Sequence, residues 1–259
     1  MFNLRTLISN IVFALLLAGR AVSAAPLNFC YEDVAQKPWT MPDNSGLNIT
    51  LLKQVEKLIG EQFTFSAKPW KRCQEETRQG VVDGFFASAI NSERLQYSVF
   101  PTRPDGSPDK AAALYEDRFG VYLRKNGKGT WDGKKLDSPQ FPVLVQRGYH
   151  VANLLRDQGF SVNETIKSAD DGLRFLVNNL ADVAILQGEQ ARSLALHDPR
   201  FVDAVIASPI PYQVLPLYLA VGRKRYDENP KRIEAIWAAI RQVRESPEYR
   251  AQLNAAASH

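Results

Sequence analysis

Residues 81–110 read VVDGFFASAINSERLQYSVFPTRPDGSPDK, and the contrast between the two ends of that stretch sets the architecture. Val81–Phe86 is a short apolar run of the kind that forms a buried strand. Pro101–Lys110 (PTRPDGSPDK) carries three prolines, a glycine and two aspartates. Proline removes a backbone donor and restricts its neighbour, so this second part must be an irregular loop. It divides the chain into two series, in each of which short apolar runs alternate with helical periods. That alternation predicts an α/β protein.

Before the loop, Leu27–Tyr31 (LNFCY) reads as a strand. Leu47–Ile59 reads as a helix with Leu47, Leu51, Leu52, Val55, Leu58 and Ile59 on one face and Gly60 behind it. Phe63–Ser66 is a second strand, and Lys71–Gln79 a polar helix ended by Gly80. After the loop, Arg118–Arg124, Val143–Gln146, Val183–Leu186, Asp203–Ala207 and the long run Val214–Val221 read as strands. Between them fall helices over His150–Gln158 and Glu189–Ala195, and one capped by Ser168 or Asp170 that carries Leu173, Leu176 and Leu180. Asn229 with Pro230 opens a helix through Val243, and Ser246 with Pro247 a last one to Leu253.

The chain has 259 residues, 45% hydrophobic and 23% charged, which excludes disorder, collagen and low complexity. Residues 1–24 read as a cleaved secretory signal: Arg5, an apolar core from Ile11 to Gly19, and Val22-Ser23-Ala24 before the cut. Their removal takes away Arg5 and Arg20 and no acid, so the net charge falls from +4 to +2. No Lys/Arg run reaches the length of a binding stripe, which argues against nucleic acid. Cys30 and Cys73 are an even pair in an exported chain; they form a disulfide or remain two buried thiols. His150, His197 and His259 stand too far apart for metal-ligand spacing, and no cofactor is implied.

Val82-Asp83-Gly84, Ser92-Glu93-Arg94 and Phe100-Pro101, together with Pro69-Trp70-Lys71-Arg72-Cys73, resemble the periplasmic solute-binding proteins of the amino-acid-binding type, extracellular family 3. The resemblance extends over essentially the whole mature chain. It implies a two-lobed type II periplasmic binding fold with two hinge strands and a central cleft. Lobe 1 would be residues 25–117 and 218–259, and lobe 2 residues 118–217. The Pro-Trp-Lys-Arg-Cys segment resembles a subgroup that pairs this cysteine with one in the first strand, which favours a Cys30–Cys73 bridge.

The resemblance also nominates a ligand site. Arg94 stands where the family forks an arginine onto a ligand carboxylate, geometry that guanidinium supplies and lysine does not; the competing reading is an ion pair with Glu93 or Glu116. Family members place Ser or Thr five positions earlier, where this chain has Ala89, leaving Ser88 and Asn91 as nearby polar side chains. The family aspartate for a ligand ammonium is replaced by Gln187; Glu189 either compensates or begins a helix. Trp70 is a cleft wall or packs beneath Cys73. Glu32 and Trp39 follow the first strand, which borders the family cleft. Gly148, Tyr149 and His150 stand at a strand-to-helix turn whose free N–H groups could receive an anion, with His150 either touching ligand or solvated.

The leading expectation is a monomeric periplasmic protein that captures a small polar solute, an amino acid or related carboxylate or amine, by lobe closure. An ABC-type permease or a sensor would be its inner-membrane partner. Two alternatives stand beside it: an exported dehydratase-like enzyme on the same fold, and a ligand-responsive signalling partner. Against the enzyme, there is no Ser-His-Asp order, no metal cluster and no acid/base pair beyond Glu32, Glu189 and His150.

Overall fold

The computed structural model describes residues 25–257. The export signal read at residues 1–24 and the histidine at position 259 lie outside the described residues.

Ten strands form one continuous curled sheet whose two halves share their central strands. In the first half β1 (Leu27–Glu32) lies parallel to β2 (Phe63–Lys68) and to β3 (Gly84–Ser88). The second half contains β8 (Val143–Gln146), parallel to both β9 (Val162–Ile166) and β10 (Val183–Gln187). Two ten-residue strands join them: β5 (Tyr115–Arg124) and β12 (Gln213–Gly222). Gln213–Leu217 of β12 pairs with Phe119–Tyr115 of β5, and Pro216 faces Glu116. From Tyr218, with a register shift before Ala220, β12 runs antiparallel to β3, and at its end also to β4 (Ser98–Val99). The other end of β5 pairs with β10 and with β11 (Val205–Ala207). A small hairpin of β6 (Thr130–Trp131) and β7 (Leu136–Asp137) stands apart.

Helices cover this sheet through three apolar clusters. In β1, Leu27, Phe29 and Tyr31 face a cluster completed by α1 (Leu47–Ile59) and α8 (Pro230–Glu245), while Cys30 faces the opposite one, as the period of two requires. That opposite cluster takes in Trp70 and Cys73 of α2 (Trp70–Arg78) and Val151 and Leu155 of α4 (His150–Asp157). The third packs α5 (Ala169–Val177) and α6 (Glu189–His197) on β8 and β10. Three short or terminal helices complete the α-helices of the described residues: α3 (Ser92–Leu95), α7 (Arg223–Glu228) and α9 (Pro247–Ala257).

Local chemistry explains most of the boundaries. Gly60 ends α1 with φ of 70°, and Ser168 with Asp171 forms a reciprocal capping box at α5. Asn229 accepts from Arg232 N at 3.2 Å, with Pro230 in the first turn of α8. A Cβ on Gly84 would lie 2.2 Å from Ala220 O, so β3 and β12 can approach only across a glycine.

Some expectations need correction. The strand placed at Val81 begins at Gly84, and Val81 is exposed. Leu58 and Ile59 project beyond the buried stripe of α1. Helix α5 stops at Val177, so Leu180 is not on its face and is exposed.

Candidate functional site

The ends of β1 and β3, the start of β5 and the helix α3 meet the β8–α4 turn and the end of β10 around a cavity of about 30 Å³. That volume holds on the order of one or two waters. Glu32, Trp70, Ala89, Arg94, Tyr149, His150 and Gln187, all nominated from sequence, line it together.

Arg94 is 3% exposed. Its backbone is held from both sides: Asn91 caps α3 by accepting from Arg94 N at 2.8 Å, and Ser98 Oγ donates to Arg94 O at 2.7 Å. Its guanidinium donates from Nη1 to Ala89 O at 2.7 Å and from Nη2 to Gly148 O at 3.2 Å, and lies 5.4 Å from the Trp70 ring. The ion-pair alternatives are not realised. Glu93 pairs instead with Arg78 at 3.4 Å, Glu116 is exposed, and no carboxylate bridges Arg94 among the described residues. Desolvation by burial holds its pKa below the ordinary value.

Glu32 ends β1 and meets the other half of the sheet through Tyr149, whose hydroxyl donates to it. Gln36 Nε2 donates to the same Tyr149 oxygen at 2.9 Å. Burial raises Glu32 to about 8, although the Tyr149 bond and the field of Arg94 oppose the rise. Tyr149 is itself pushed well above the ordinary phenol range, first by burial and then by Glu32, so its hydroxyl stays a donor. His150 Nδ1 is buried without a partner, and burial together with Arg94 lowers its pKa and keeps the ring neutral.

At the end of β10, Gln187 Nε2 donates to Asp117 Oδ2 at 2.9 Å and its backbone N–H to Gln146 Oε1 at 2.9 Å. Burial lifts Asp117 to about 6 against the lowering effect of the Gln187 and Arg118 hydrogen bonds. Glu189 follows the helix-start reading: it is exposed in the first turn of α6, 3.8 Å from Arg192.

Five other expectations have mixed outcomes. Gly148 N–H is not free for an external anion, because Glu164 Oε1 accepts it at 2.9 Å. Its φ of 78° and the 3.1 Å from a would-be Cβ to Lys71 Cε show why a glycine stands there. Ser88 is buried with Oγ donating to Ala89 O at 3.3 Å, and Trp39 stacks on Tyr115 at 4.1 Å; neither lines the cavity. Trp70 does both things asked of it, meeting Phe85 edge-on at 5.5 Å while lining the cavity. Cys30 and Cys73 are bonded, with Cα atoms 5.7 Å apart, tying β1 to α2 beneath Trp70.

Sequence reasoning missed Gln36, Tyr115 and Phe119 in the wall, and Asp117 behind it. The signal for the last three was available: Tyr115, Asp117 and Phe119 alternate along β5, all buried, and an aspartate on the inward face of a strand is unusual enough to mark a site.

No protein-family model and no curated protein matches the chain. Solved structures do. A histidine kinase sensor domain described as similar to periplasmic binding proteins superposes with a TM-score of 0.71 at 13% identity, covering 88% of this chain and 94% of that one. The GluR0 ligand-binding core from Nostoc punctiforme, in complex with L-glutamate, gives 0.66 at 16% identity, with coverage of 87% and 96%. The chain has the periplasmic-binding-protein fold. A mutant of ArgBP from T. maritima agrees, at 0.65 and 17% identity over 90% of this chain and 95% of that one. In this fold the cavity described above lies in the cleft between two lobes, and β5 and β12 are the strands that cross between them.

Proposed function

We propose that the protein is a periplasmic solute-binding protein that captures a small polar solute, an amino acid or related carboxylate or amine, by closing its lobes around it. One observation carries the reading: Arg94 is buried in the cleft wall with no carboxylate bridging it among the described residues. A desolvated guanidinium whose partners are neutral carbonyl oxygens and the Trp70 ring is costly, and a ligand carboxylate would complete it with charge-assisted hydrogen bonds. Closure, not chemistry, is the functional event in this proposal. Lobe 1 would comprise residues 25–117 and 218–259 and lobe 2 residues 118–217, in a monomer exported on residues 1–24 that serves an ABC-type permease.

The test is thermal unfolding of the oxidised protein against amino acids, amines and small carboxylates. A ligand at 100 times its dissociation constant adds about 2.7 kcal/mol. A compound that stabilises the wild type but not Arg94→Ala supports the proposal; equal stabilisation of both removes Arg94 from the site. A second reading, a solute-responsive input to a sensor, is favoured by the likeness to a sensor domain. Loss of solute uptake from cells lacking the protein would decide for transport, and intact uptake with a lost transcriptional response for sensing.

A further inference from the structure

We infer that the chain carries a second binding site, for a small doubly charged oxyanion of the phosphate, sulfate or phosphate-monoester kind, in a basic cavity at the other end of β3 from the cleft. It is independent of the solute-binding reading above.

The elements that build the cleft also place this cavity. Trp70 at the start of α2 and Ala89 after β3 line the cleft, whereas Thr77 and Arg78 at the end of α2 and Val82 and Asp83 before β3 line the second cavity. Gly222 of β12 and Arg223, Lys224 and Arg225 of α7 complete its wall. Its volume is about 290 Å³ against about 30 Å³ in the cleft, at the small end of the range of roughly 300 to 1,000 Å³ that small-molecule pockets occupy.

The wall is polar and its charges do not cancel. Two acids line it, Asp83 and Glu228, and both are committed to Arg225, whose Nε donates to Asp83 Oδ1 at 2.5 Å and Nη1 to Glu228 Oε2 at 2.6 Å. Asp83 is buried and its other oxygen accepts from Asn28 N at 2.7 Å, which fixes that side of the cavity. Arg78 lies 4.5 Å from the Tyr97 ring and pairs with Glu75 at 2.6 Å and Glu93 at 3.4 Å. Arg223 and Lys224 are left over. The Arg223 guanidinium donates only to neutral oxygens, through Nη2 to Leu95 O at 2.8 Å and Ser98 O at 3.4 Å, so its Nε and Nη1 donors are uncommitted. Lys224 makes no hydrogen bond or ion pair among the described residues. An oxyanion offers acceptors alone and the charge to match these two cations, and guanidinium and ammonium groups are the side chains that bind it. A cationic compound would meet no uncommitted acid in the wall, and an apolar one only Val82 and the Tyr97 ring.

Calorimetric titration of the oxidised protein with inorganic phosphate, sulfate and glycerol phosphate, at pH 7.5 and fixed ionic strength, tests this. At least one of them should bind with a dissociation constant below about 1 mM. Replacing Arg223→Gln and Lys224→Gln together should weaken that binding at least about tenfold, while Arg94→Ala in the cleft should change it by less than about twofold. Because Arg223→Gln also releases two carbonyl oxygens, Lys224→Glu is the second variant: it alters an exposed side chain without a partner and should weaken binding by about the same factor. Tighter binding of glycerol phosphate than of phosphate assigns the site to esters, and the reverse order to the free ion; either upholds it. Binding that Arg94→Ala abolishes and the Arg223 and Lys224 variants leave intact would place the anion in the cleft and overturn the inference, as would binding weaker than about 1 mM for all three anions.

Discussion

The two ends of β10 treat charge in opposite ways. Just before the strand, Asp182 is fully buried and satisfied: Arg124 Nε donates to Oδ1 at 2.9 Å, Lys128 N–H to Oδ2 at 3.2 Å, and Arg124 reaches on to Asn179 at 2.8 Å. At the other end, Gln187 opens onto a cleft where Arg94, Glu32 and Asp117 are enclosed and none is in an ion pair among the described residues. The first arrangement is closed within the chain and holds structure. The second leaves the Arg94 guanidinium without a counter-charge and favours the protonated form of Glu32, the condition in which a ligand gains most by arriving.

The comparison can be broken most directly at Asp182. Asp182→Ala strands Arg124 and should cost about 3 to 5 kcal/mol in urea unfolding; a cost below about 1 kcal/mol would show that the pair is not structural. The next largest effect is on pH dependence. The folded protein holds the Glu32 proton more tightly than the unfolded chain, so stability falls as pH rises from the ordinary carboxyl value of 4.5 towards about 8. The slope can reach about 1.4 kcal/mol per pH unit, and Glu32→Gln should flatten it in unfolding curves taken at low, neutral and alkaline pH. Arg94→Met should leave stability unchanged or raise it by about 1 kcal/mol, because desolvation of the guanidinium offsets its bonds to two carbonyls. A loss as large as that at Asp182 would erase the contrast. Smallest is Tyr149→Phe, which removes one hydroxyl between the lobes and should cost about 1 kcal/mol, with small-angle scattering reporting a more open particle.

Much of the fold was legible because period and punctuation agreed. The proline-rich loop, Gly60 behind α1 and the Asn-Pro start of α8 each announce a boundary through backbone chemistry. Strand β9 (VNETI) was invisible: it is an edge strand with largely polar, half-exposed residues, and carries no apolar run. Leu180 misled for the opposite reason, because helical spacing continues past Val177 although Asn179 turns to φ of 58°. In the site, Arg94 and Gln187 were reachable because the family resemblance nominates positions along one stretch of chain. Gln36 with Tyr149, and Glu164 with Gly148, were not, since those partnerships exist only after distant segments are brought together. An N–H already satisfied by a carboxylate 16 positions away looks identical, in sequence, to one waiting for a ligand.

Pro216 sits where β12 crosses from one lobe to the other, opposite Glu116 of β5. Leu217 O accepts from Leu114 N and Arg118 O from Gly188 N, so alternate residues of β12 bond to β5 and the Pro216 nitrogen faces away from it. The proline therefore costs that ladder no rung, and it falls on the side of β12 that β3 joins only from Tyr218 onward. Having no N–H to offer there, it blunts a short open edge against pairing with another chain.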